Sequence, residues 1–63
     1  SDKKQIREML KADKVFHSQA SQFVRNFEKI LKSADQTNDA DAVKSALLQT
    51  DLGIIYNTIS KNA

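Results

Sequence analysis

The chain reads as an all-α protein, and three observations carry that reading. Proline is absent and glycine occurs once, at Gly53, so the residues that punctuate turn-rich β folds are missing. Apolar side chains recur at steps of three and four along most of the chain, the period of one helical face. Only one stretch, "SADQTNDADAV", gathers turn-forming residues. The 63 residues therefore predict one helical domain over 1–63, built as an antiparallel two-helix hairpin.

The first helix is expected over about 3–34. Ile6, Met9/Leu10, Phe16, Ala20, Phe23/Val24, Phe27, Ile30/Leu31 and Ala34 line its apolar face. Asp13 falls inside that stripe and Val15 outside it. The pattern thus allows a kink or restart over 12–18, with Asp13 or Ser18 as N-cap; the alternative fold is then a three-helix bundle. Lys29 and Lys32 suit the last turns, where the helix dipole favours cations.

A connection follows over about 35–39. Its Ser, Asp, Thr and Asn side chains compete with the backbone of a helix and favour turns. Asn38 or Asp39 is placed to cap a second helix, expected over about 40–60, with Asp41 in its first turn. A short connection makes the two helices antiparallel neighbours.

The second helix carries two apolar seams. At about 100° per residue, Val43, Leu47 and Ile54 cluster on one side, with Ala46 beside them. Leu48, Leu52, Ile55 and Ile59 form another cluster about 120–130° away. One seam packs on the first helix; the other needs a cover, because four exposed aliphatic groups make a sticky patch. A chain of about 60 residues buries only about 60% of its unfolded surface, and Cys is absent, so no disulfide stiffens it. The expected cover is another protein chain, homo- or hetero-oligomeric, resting on Leu48, Leu52, Ile55 and Ile59; the alternative is cover within the chain, by the broad face of the first helix or by a third helix. Tyr56 lies off both seams and suits an interface anchor, having a ring with a polar tip.

Charge is unevenly spread. Residues 1–32 hold eight basic and four acidic groups; 33–63 hold two and four. Lys3, Lys4, Arg7, Lys11, Lys14, Arg25, Lys29 and Lys32 share about 100° of the first helix's wheel. Such a stripe is solvated, steers an acidic partner or tracks phosphates. The alternative function is accordingly nucleic-acid binding, although the stripe lacks interleaved aromatics for base stacking.

No reaction chemistry stands out. Asp13, His17 and Ser21 follow one another by four, but neighbours one turn apart on a helix lie side by side, about 5–6 Å between Cβ atoms. No catalytic residue, metal site or cofactor is expected. Nothing approaches the roughly 18 apolar residues of a membrane span, and "SDKKQIREML" has no signal-peptide core. The expected location is the cytoplasm.

Two resemblances bear on this reading. The stretch "LLQTDLGII", through Leu48, Leu52, Gly53, Ile54 and Ile55, resembles the end of the YscE-like co-chaperones of type III secretion needle subunits. These are helical hairpins whose apolar second helix packs on a tetratricopeptide-type partner, which implies a small co-chaperone or assembly factor. "VRNFEKILKSADQTNDADAVKSAL", through Arg25, Lys29, Asp39, Lys44 and Ala46, is similar to the middle of the ribosomal protein S twenty family of the bacterial small subunit, which implies RNA contact by the basic stripe.

Overall fold

The computed structural model describes residues 2–62. All regular structure among them is helical: α1 Asp2–Ala12, α2 Lys14–Ser33, a 3-10 turn Ala34–Gln36, α3 Ala40–Leu48 and α4 Asp51–Asn62. Both long helices expected from the sequence are present but interrupted, each by a local capping event.

The first interruption is at Asp13. Its N–H still donates to Met9 O (2.9 Å), completing α1, and its carbonyl already accepts from His17 N–H (2.9 Å), opening α2. Its own backbone is extended, φ −120° and ψ 108°. The carboxylate turns onto the Phe16 N–H at 3.0 Å, the usual work of an N-cap side chain. Asp13 therefore caps α2, and the kink expected over 12–18 falls on it.

The connection tightens through hydroxyl groups. Ser33 Oγ donates to Ile30 O at 2.5 Å, and Thr37 Oγ1 donates to Ala34 O at 2.6 Å. Lys44 of α3 reaches back to Asp35 at 2.6 Å. Asp39 stands at the N-cap position of α3, but its side chain makes no capping hydrogen bond.

The second interruption, at Gln49–Thr50, was not expected. Thr50 N–H and Thr50 Oγ1 both donate to Leu47 O, at 3.2 and 2.6 Å, closing α3. Thr50 Oγ1 then accepts from Gly53 N–H at 3.1 Å, and Thr50 O accepts from Ile54 N–H at 2.9 Å, opening α4. Gly53 makes the tight corner possible. A Cβ there would lie against Leu47 O and only 2.6 Å from Leu48 Cα and Leu48 O.

α2 packs on α1 and on α4, α1 also meets α4, and α3 packs on α4. Leu10, Ala20 and Ile59 form the buried centre, with Ile6, Phe16, Phe23 and Val24 against them. Phe27 and Ala34 are buried further along α2 and its 3-10 extension. The buried Thr58 hydroxyl is satisfied within its own helix, donating to Ile54 O at 2.9 Å.

Candidate functional site

The apolar seams of the second helix are redrawn by the corner at Thr50. A shared face persists only while one helix continues, and α4 starts with a new phase. Ile59, expected beside Leu48, Leu52 and Ile55 on a partner-facing seam, is 4% exposed in the chain's own core. Ile54, expected to pack inward with Val43 and Leu47, is 53% exposed. Ile59 thus leaves the outward set and Ile54 leaves the inward one. Leu48, Leu52 and Ile55 remain exposed, Leu52 most of all at 57%.

Tyr56 is also used within the chain. Its ring stacks on Phe27, centroids 4.8 Å apart and 24° between planes. Its hydroxyl donates to Glu28 Oε2 at 3.1 Å, tying α4 to α2. Partial burial raises the phenol pKa above its ordinary value, and the bond to Glu28 raises it further. Lys44 is likewise raised, first through its hydrogen bond to Asp35.

What the fold assembles instead is a groove between α2 and the α3–α4 corner. Phe23, Phe27 and Ile30 form one wall, Leu47 and Leu52 the other, and Asn26 and Thr50 sit among them; the cleft encloses about 310 Å³. No ionisable side chain lines it. Phe23 and Phe27 stand 6.0 Å apart, centroid to centroid. Ile30 (49% exposed) and Leu52 rise at its margins. Leu52 is the part of this groove that the sequence identified. Phe23, Phe27 and Ile30 all lie on the apolar face of the first helix, yet Phe27 is buried and Phe23 packs against the core, while Ile30 is exposed, a difference that periodicity does not encode. The signal for the corner was present in "TDLG": a Thr cap, an acidic first turn, and the glycine that permits close approach.

A second, smaller cleft lies elsewhere, between Lys3 of α1 and Leu48, Ile54, Asn57 and Thr58. Ile54 projects about 200° from Leu52 on α4, away from the groove.

The basic side chains do not share one helix. Lys3, Lys4, Arg7 and Lys11 belong to α1, and Lys14, Arg25, Lys29 and Lys32 to α2; all are exposed. The extended residue Asp13 between them breaks the common wheel on which the stripe was drawn. Arg25 donates to Gln22 Oε1 at 2.9 Å along its own helix. The exposed Asp13 and His17 are linked through the backbone, while the Asp13 carboxylate is occupied by Phe16 N–H. No helix among the described residues is long and apolar enough to cross a membrane. No protein-family model, curated protein or solved structure matches the chain.

Proposed function

We propose that the chain is a non-enzymatic helical protein–protein interaction module. Another protein chain occupies the groove between α2 and the α3–α4 corner, completing a small helical bundle. A role as a small co-chaperone or assembly factor is consistent with this reading. The observation that carries it is the groove itself: an apolar, charge-free lining in a chain whose own core is thin. Among the described residues, no side chain is fully buried, whereas Met9, Val15, Ile30, Leu48, Leu52, Ile54 and Ile55 are large, apolar and exposed. Fully burying a Leu or Ile contributes about 1.5–3 kcal/mol, so a partner that covers Ile30 and Leu52 gains binding free energy that the lone chain leaves unused.

The test is site-specific crosslinking from the groove's rim. A photoreactive residue at Asn26 or Ile30 is expected to give a covalent adduct with a protein chain, lost when Leu52→Lys is added. Rim positions that give no adduct, or an adduct indifferent to Leu52→Lys, would remove the groove from function.

A further inference from the structure

We infer that the occupant of this groove is a second copy of the same chain, docked about a two-fold axis; the inference rests on the groove being an interaction surface. Three features of the molecule point to self-pairing.

The groove and its filler lie side by side. Leu52 lines the cleft and also stands 57% exposed at its margin. An isologous contact uses one patch on both copies, so residue i meets j and j meets i. With the axis over the cleft, midway between Leu52 and Ile30, each Leu52 lies against the other copy's Ile30.

The charges beside these two residues are complementary. Lys29 precedes Ile30, and Asp51 precedes Leu52. Both are exposed, and neither takes part in the Lys44–Asp35 ion pair. Placing Leu52 against the partner's Ile30 brings Asp51 towards the partner's Lys29, and symmetry makes the pair twice. The lining between them is uncharged, so no like charges are forced together at the centre.

The overall charge permits pairing. Net charge is only +2, so self-repulsion between copies is weak.

Sedimentation equilibrium of the full chain, from about 1 μM to 1 mM, is expected to show a monomer–dimer equilibrium. Leu52→Lys should weaken it at least about a hundred-fold, because each copy then buries an unpaired charge. Ile54→Lys, on the opposite side of α4, should leave it unchanged. Lys29→Glu and Asp51→Lys should each weaken self-association about ten-fold through like-charge contacts. Mixing those two variants should restore dimers, because both cross-copy contacts then join opposite charges. Far-ultraviolet circular dichroism at matched helicity separates lost pairing from lost folding. A wild type that stays monomeric at 1 mM overturns the inference. So does a dimer indifferent to Leu52→Lys, or a mixture that associates no better than its components. If the chain is monomeric while the rim crosslinker still captures a different protein, self-pairing fails and the interaction module stands; if neither association appears, both fail.

Discussion

Tyr56 and Gly53 show how much a single residue decides in so small a chain. Tyr56 is the sole tyrosine and there is no tryptophan, so its absorbance reports the α2–α4 contact alone. Its folded pKa is raised by burial and by Glu28. The unfolded chain therefore ionises first, near pH 10. The stability contributed is whole below that pH and is lost as pH rises through the folded value. Lys44, also raised, loses its contribution in the same alkaline direction. A spectrophotometric titration should place the tyrosinate midpoint above 10, and Glu28→Ala should lower it, since both the hydrogen bond and the charge of Glu28 favour the neutral phenol. At Gly53 the sign of a substitution is the test. In an ordinary exposed helix interior, Gly→Ala gains about 1 kcal/mol. Here the new methyl meets the Leu48 backbone, and overpacking costs about 1–3 kcal/mol. Urea unfolding of Gly53→Ala should show a net loss; a gain would mean that the corner has slack.

At the level of elements, two residues break two helices by the same chemistry. Asp13 and Thr50 each end one helix and cap the next, accepting Phe16 N–H and Gly53 N–H on their side-chain oxygens. Removing an N-cap acceptor costs about 1 kcal/mol. Asp13→Ala and Thr50→Val should each lower unfolding free energy by about that amount. Thr50→Val carries a further consequence: without the cap the chain can run on as one helix past 50, so the exposed Ile54 would turn inward and the buried Ile59 outward. Hydroxyl-radical footprinting of these two side chains checks this. The cap at Asp13 was legible because a carboxylate interrupts an apolar stripe there. The corner at Thr50 is hidden in the sequence because the apolar spacing on either side of it can be drawn as one continuous helix.

For the whole molecule, the distinction that matters is between Ile59 and Leu52. Ile59 lies in the core with Leu10 and Ala20, so Ile59→Ala should cost about 2–5 kcal/mol at any protein concentration. Leu52 is more than half exposed, so Leu52→Ala should cost the dilute chain little. It should instead remove the rise of melting temperature with concentration that association brings by mass action. Thermal melts over a hundred-fold range of concentration separate the two. Equal, concentration-independent losses would place Leu52 in the core with Ile59.

The residues by themselves determined the helical class and the connection after Ser33, and allowed a restart over 12–18 that the structure places at Asp13. Each depends on local backbone chemistry: absent proline, hydroxyl and carboxylate side chains that compete for N–H groups, and apolar steps of three and four. Only the tertiary structure decided which apolar residues are covered. Periodicity assigns residues to a common face for as long as one helix lasts. At Thr50 the backbone turns, the phase restarts, and Ile59 moves inward while Ile54 moves out. Tyr56, placed off both seams by the wheel, is drawn onto Phe27 and Glu28 because α4 crosses α2 at that level. The groove has the same origin. Its two walls are separated by some twenty residues of chain, and their meeting depends on how the helices pack, which no local pattern encodes.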